Sequence, residues 1–329
     1  MTTAESRTSR RALTPVTPSR PVPSMAEDMR QGLTASPKVL HPKYFYDERG
    51  STLFDQICDT PEYYPTRVES ELLTAHAEEI LRLASPDNML ELGSGASRKS
   101  RLLLDRWRPS GDGTYLPFDV SEEMLSAVAA DLAKEYPQLA IHALAGDYTA
   151  GLDHVPDPVG CTLWMFIGST LGNFEPAEAS AFVAEIAGRM SSGDSFLLGT
   201  DLHKDEAVLE RAYNDAQGLT ADFNLNVLAV INRELQANFQ LDHFSHLAYY
   251  CEGRRRIEMH LVSETDQQIH VGALDLTVSF SKGERIRTEI SRKFLTGEIR
   301  EMLEEAGLTV TRSFVHESYP FALTLASKP

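Results

Sequence analysis

Two spacings of apolar residues alternate along the first two hundred positions. Short continuous apolar runs at 88–92, 114–120, 140–144, 161–167 and 195–201 have the length of strands buried on both faces. Between them, helical spacing runs over 99–107, from Ser121 onward with Glu122 and Glu123 in the first turn, and over 176–190. An amphipathic helix precedes them at 69–83, with Leu72, Leu73, Ala77, Ile80 and Leu81 on one side. This alternation predicts an α/β fold with a doubly wound parallel sheet. After Lys204 the texture changes. Helices are expected at 205–215 and 219–234, strands at 243–251, 256–264, 268–280 and 286–294, then a helix at 296–306 and short closing strands, together a second, α+β part.

Two stretches resist periodicity. Residues 1–24 are rich in Ser, Thr, Pro and Arg, with Glu5 the only acid before the helical pattern that begins near Met25; a disordered tail is expected. Residues 37–66 scatter aromatics among Pro, Gly and charges. They read as a loop folded back on the core, or as a lid whose rings exclude water and bind an amine or cation.

Charge and cysteines narrow the setting. The 329 residues carry 31 Lys and Arg against 48 Asp and Glu, a net charge of −17, which argues against nucleic acid or an anionic membrane as a partner. No apolar run reaches the ~18–20 residues that span a bilayer. Cys58, Cys161 and Cys251 are widely spaced, without a Cys-x-x-Cys or His-Glu-x-x-His pattern, so neither a metal site nor a disulfide framework is expected. A reduced, cytoplasmic, monomeric protein with a small-molecule partner fits.

The chemistry concentrates at strand ends. Gly93-Ser94-Gly95 follows the first strand, with Arg98 where a dinucleotide fingerprint wants a third Gly. Glu91, Asp119 and Asp147 close successive strands on one edge of the sheet, where such folds bind ligands. Asp119 suits a ribose diol and Asp147 the exocyclic amine of adenine. Three acids around one nucleoside fit a cationic cofactor such as S-adenosylmethionine. The stretch from Gly168 to Phe174 then lies where an acceptor meets a methyl group, with Asn173 able to bind a carboxylate and an amine. A sulfonium methyl is already activated, so transfer needs an unprotonated nucleophile, in-line geometry and dehydration. An NAD-dependent dehydrogenase and a non-catalytic cofactor-binding module remain alternatives.

From about Met25 to Leu325 the chain resembles the L-histidine Nα-methyltransferases of ergothioneine biosynthesis. The resemblance rests on the stretches Pro42-Lys43-Tyr44-Phe45-Tyr46-Asp47, Pro61-Glu62-Tyr63-Tyr64-Pro65-Thr66-Arg67, Glu91-Leu92-Gly93-Ser94-Gly95, Pro117-Phe118-Asp119-Val120, Gly168-Ser169-Thr170-Leu171-Gly172-Asn173, Leu198-Gly199-Thr200-Asp201-Leu202, 226–234 and Arg256-Ile257-Glu258-Met259. It implies a Rossmann-like class I methyltransferase sheet at 68–203. A substrate-binding domain would be assembled from 25–67 and 204–329. It implies that Gly93, Lys99, Asp119, Asp147 and Tyr148 hold S-adenosylmethionine, with Tyr148 standing where the family has Phe. Asn173 and Tyr213 would grip the substrate carboxylate. Tyr46 and the Gly168 backbone would flank the amino nitrogen, and Phe54 would wall the site. Tyr63, Glu289 and Ser291 would read the imidazole, with Met259 shaping that side. A tryptophan-like substrate is the nearest rival, and the presence of Glu289 and Met259 favours histidine.

Overall fold

The computed structural model describes residues 11–109, 111 and 113–329; the first ten residues of the expected tail lie outside them. The five expected strands form β3 (Asn88–Leu92), β4 (Thr114–Asp119), β5 (Ala140–Ala145), β6 (Thr162–Phe166) and β7 (Ser195–Asp201). All five are parallel, in the order β5-β4-β3-β6-β7. Alternate side chains feed two cores. Met89, Tyr115, Leu163 and Leu197 pack against α3 (Tyr64–Ala84) and α5 (Glu122–Glu135), with the short α4 (Ser100–Leu104) on the same side. Leu90, Leu116, Trp164 and Phe196 pack against α6 (Pro176–Arg189) and α9 (Thr296–Glu305). Burial on both faces is why these strands read as continuous apolar runs. The chain builds outward from β3 in one direction and from β6 in the other. Their carboxyl ends therefore border the crevice where such sheets take ligands.

Both ends of the chain correct the expected domain limits. Residues Arg11–Pro15, expected within a disordered tail, form β1 and pair in parallel with β5, from Arg11 opposite Ile141 to Pro15 opposite Ala145. Thr14 Oγ1 meets His142 Nε2 at 2.8 Å, and Val16 N donates to Ala145 O at 2.8 Å. The strand lies on the sheet edge with its side chains partly exposed, so its pairing needs no apolar pattern. At the other end, β14 (Phe321–Ser327) lies antiparallel between β7 and β13 (Thr309–Val315). The chain beyond 204, expected wholly in the second domain, thus returns to complete the first sheet.

The second lobe is a four-stranded sheet ordered β2-β12-β9-β8, from β2 (Lys38–Val39), β8 (Phe244–Cys251), β9 (Arg256–Ser263) and β12 (Arg285–Arg292). Around it lie α1 (Met25–Thr34), α7 (Glu206–Ala212) and α8 (Leu219–Leu235). The expected strand at 268–280 is instead a hairpin of β10 (Gln267–Val271) and β11 (Leu276–Phe280), which turns through Asp275 at φ +46°. The segment 37–66 is not a loop throughout. It contains α2 (Glu48–Cys58), capped by Asp47, whose carboxylate accepts Gly50 N–H at 2.8 Å. Gly50 is required there, because a Cβ would sit 1.7 Å from Phe45 O. Its Gly, Ser and Thr in the first turn hide the helix from periodicity; packing of Leu53 and Ile57 against the core supplies what propensity lacks. Among the described residues no helix is long and apolar enough to cross a membrane.

Pairing with β1 covers the outer edge of β5. Deleting residues 1–15 should therefore speed amide exchange at 141–145 by about tenfold or more while leaving the β3 amides protected, as read by hydrogen–deuterium exchange with mass spectrometry.

Candidate active site

At the carboxyl end of β3 the chain turns through Gly93 at φ +70° and Gly95 at φ +48°. A Cβ on Gly95 would enter open space, so the turn forms an uncovered cradle. Asp119 closes it: its carboxylate accepts Gly95 N–H at 2.9 Å and Ser121 N–H at 3.2 Å. Asp147 caps the turn Tyr148–Ala150, accepting Thr149 N–H at 2.8 Å on Oδ1. The Tyr148 ring packs edge-on against Phe118 and Phe166 at 6.3 and 5.7 Å, and its Cε1 lies 3.4 Å from where a Gly93 Cβ would be. The five residues expected around S-adenosylmethionine thus lie after β3 (Gly93), at the end of β4 (Asp119), after β5 (Asp147 and Tyr148) and at the start of α4 (Lys99). A cradle, two carboxylates with unfilled acceptor capacity, an aromatic floor and a cation suit its adenosine and amino-acid ends. Glu91 is not part of it. It is buried beneath the turn, accepting bonds from Ser100 and Tyr115, and burial raises its pKa to about 7.

Across the crevice, β6 is followed by Gly168 at φ +84°, Ser169 at φ +56° and the turn Thr170–Asn173. That turn lies on β12: a Cβ on Gly172 would sit 3.0 Å from Arg292 O and 3.1 Å from Arg292 N. Glycine therefore lets Asn173, half-buried, reach the joint between the two sheets.

The second lobe supplies an aromatic recess. Tyr46 packs edge-on against Phe54 at 5.6 Å and Phe223 at 5.7 Å, Phe54 against Tyr63 at 6.1 Å, and Tyr63 against Tyr213 at 6.0 Å. Tyr46 is 42% exposed. Burial, then the charges of Glu289 and Tyr148, hold its pKa well above the usual phenol range. Tyr46 thus lies within electrostatic reach of both Tyr148 and Glu289. Glu289 and Ser291 share one face of β12, as their spacing predicts, and Met259 lies opposite Glu289 on β9, 2% exposed. Burial raises Glu289 to about 7, and Lys293 partly offsets it. Ser291 Oγ accepts the Tyr213 hydroxyl at 2.8 Å, which joins two residues expected at different ends of the substrate.

Comparison with known proteins decides the family. The model of the histidine-specific, S-adenosylmethionine-dependent methyltransferases matches residues 25–328. The chain belongs to that family. It is 47% identical over 306 residues to a histidine N-alpha-methyltransferase of Mycobacterium tuberculosis, covering 93% of this chain and 95% of that protein. The corresponding protein of Mycolicibacterium smegmatis is also 47% identical, over 304 residues, covering 92% and 94%. Ergothioneine biosynthesis protein 1 of Neurospora crassa is 35% identical over 203 residues, covering 60% of this chain and 23% of that one. Among solved structures, an S-adenosylmethionine-dependent methyltransferase from Clostridium acetobutylicum overlaps 78% of this chain and 91% of its own, at 11% identity and a TM-score of 0.46.

Three groups in this histidine-specific methyltransferase went unseen in the sequence. Glu69 of α3 is fully buried; both its carboxylate oxygens accept Gly168 N–H, at 2.8 and 2.9 Å, and it pairs with Lys99. It ties the acceptor side of the crevice to the cofactor side. Gly199 makes room for it, since a Cβ there would fall 2.0 Å from Glu69 Oε1. The signal was an acid on the apolar stripe of its helix, three and four positions before Leu72 and Leu73. The second group is Phe223 of α8, which floors the recess 5.9 Å from Phe54. The third is the buried pair Lys293 and Asp201, 2.9 Å apart. Asp201 also pairs with Lys204 and accepts the Tyr64 hydroxyl at 2.6 Å. Burial opposes the charge on Lys293, but Asp201 outweighs it and holds the ammonium well above its usual range. Lys204, where burial dominates, falls to about 8. Lys293 continues the face of Glu289 and Ser291, and Asp201 ends β7 as other acids end their strands.

A carboxyl raised by burial stabilises the fold when protonated. That contribution is complete below pH about 4.5, the unfolded value, and is lost as pH rises through about 7. Glu289→Gln should therefore raise the melting temperature of ligand-free protein at pH 8, corresponding to about 1–2 kcal/mol, and change it little at pH 4.5, by differential scanning fluorimetry.

Proposed function

We propose that the protein transfers three methyl groups in succession from S-adenosylmethionine to the α-amine of L-histidine, giving hercynine, the first step of ergothioneine biosynthesis. The observation that supports this reading is the joining of Tyr46, Phe54, Tyr63 and Tyr213 in one recess with Ser291 and Glu289. The near-full-length similarity to the two mycobacterial proteins supports it. An indole could offer its N–H to Glu289 but has no acceptor nitrogen for Ser291, which disfavours a tryptophan-like substrate.

In this reading the cofactor supplies a methyl already activated on a positively charged sulfur. Gly93 and Gly95 bring the backbone close to it, Lys99 faces its carboxylate, Asp119 and Asp147 accept its ribose hydroxyls and adenine amine, and Tyr148 packs on the base. On the other side, Asn173 and Tyr213 hold the histidine carboxylate, and Glu289 accepts a ring N–H while Ser291 meets the other nitrogen. These contacts leave the α-nitrogen beside Tyr46 and Gly168, aimed at the crevice. A phenol held well above its usual range keeps its proton at neutral pH. Tyr46 thus directs the nitrogen lone pair by hydrogen bonding and does not act as the base. The proton lost before each transfer leaves through the solvent that reaches Tyr46. The product becomes a bulkier and finally permanent cation, and the faces of Tyr46, Phe54 and Phe223 suit a growing methylammonium.

Mass analysis of histidine incubated with enzyme and cofactor should show gains of one, two and then three methyl groups; unchanged histidine would refute the substrate. Tyr46→Phe should lower kcat by about tenfold or more while S-adenosylhomocysteine affinity by calorimetry stays within about twofold. Equal loss of both would remove Tyr46 from the acceptor side.

A further inference from the structure

Lys293 has a role that neither the family motifs nor the substrate reading assigns. Lys293 is 2% exposed and its surroundings use all three of its ammonium protons. One bond runs to Asp201 at 2.9 Å, one to Ser291 Oγ at 2.9 Å and one to the Tyr213 hydroxyl oxygen at 3.2 Å. An ammonium can only donate. Ser291 and Tyr213 must each therefore spend a lone pair on it. Between them the two hydroxyls own two protons, and their mutual bond of 2.8 Å uses one. The other remains, and in this arrangement it belongs to Ser291, which already accepts from both neighbours.

We propose that Lys293, held by Asp201, fixes the hydrogen-bond polarity of the substrate recess: it fills the rear acceptor sites of Ser291 and Tyr213, so that both hydroxyls present protons to the ligand. This deepens the histidine reading and rests on it. Ser291 then meets a ring nitrogen that carries a lone pair. Glu289, two residues earlier on the same strand face, meets a ring N–H. The pair selects a ring with one acceptor nitrogen and one donor nitrogen, which is neutral imidazole in a single tautomer. With the substrate in place the Tyr213–Ser291 bond opens, and the Tyr213 proton turns to the carboxylate. Lys293 touches no substrate atom. It is a positioning residue, acting through the two hydroxyls. Asp201 anchors it from β7, where Phe294 N–H donates to Asp201 O at 2.9 Å and ties the end of β12 to the first sheet.

The test separates polarity from fold. β-(Pyrrol-2-yl)alanine and β-(pyrrol-3-yl)alanine keep a ring N–H and lack the acceptor nitrogen, so a forced donor at Ser291 is left unpaired beneath them. Their affinities, and that of L-histidine, are measured by calorimetry on the S-adenosylhomocysteine-loaded protein. The native protein should prefer histidine by about 30-fold or more. In Lys293→Met the hydroxyls can rotate, and the preference should fall to about threefold or less, chiefly through weaker histidine binding. Asp201 keeps Lys204 and Tyr64 as partners in that variant. Lys293→Gln retains amide donors without the charge and should keep a preference of about tenfold or more. This second variant also serves if Lys293→Met does not fold. A native protein that does not bind histidine refutes the substrate reading itself. Histidine binding with an unchanged preference in Lys293→Met, no preference in the native protein, or a preference lost in Lys293→Gln overturns the role of Lys293 alone.

Discussion

A lysine and an aspartate buried together hold the two lobes of this enzyme in working register. Asp201 ends a strand of the methyltransferase sheet, and Lys293 follows directly on the strand that carries Glu289 and Ser291. Two ions taken out of water cost several kcal/mol each, and only close pairing with further hydrogen bonds offsets that. Here the offset comes from Lys204, Tyr64, Tyr213 and Ser291. The same bonds that make the pair tolerable hold Ser291 and Tyr213 in the recess. A shift of either sheet would strand a charge, so the joint resists sliding.

A second buried acid does comparable work on the other side of the crevice. Glu69 receives Gly168 N–H and pairs with Lys99, so the loop after β6 and the start of α4, proposed to face the amine and the cofactor, share one carboxylate. Methyl transfer depends on the distance and angle between two bound molecules. A rigid link between their binding loops sets that distance before either arrives. The glycines nearby serve the same end: Gly199 leaves room for Glu69, and Gly172 lets the Asn173 turn lie against β12.

Between these anchors the recess combines apolar walls with few polar groups. In the proposed reaction Tyr46, Phe54, Tyr63 and Phe223 supply the faces that accommodate each added methyl, and Glu289, whose pKa burial has raised to about 7, trades stability for selectivity. A group that the empty fold would rather see protonated is one whose function is met by a ligand.

The main sheet was legible because strands buried on both faces must be apolar throughout, and helices between them must repeat near every third or fourth residue. The cofactor turn was legible because glycines and strand-end acids are local in sequence. The edge strand β1 was not, because an exposed edge imposes no pattern. Nor was α2, whose helix rests on packing and an Asp47 cap with little help from propensity. Family motifs pointed to Tyr46, Tyr63, Tyr213, Glu289 and Ser291, and nothing local placed them together. The return of β14 to the first sheet, and the burial of Lys293, Asp201 and Glu69 against partners dozens of residues or more away, are decisions of the tertiary structure. A charge has meaning only with its partner, and here folding alone brings the partners within hydrogen-bond reach.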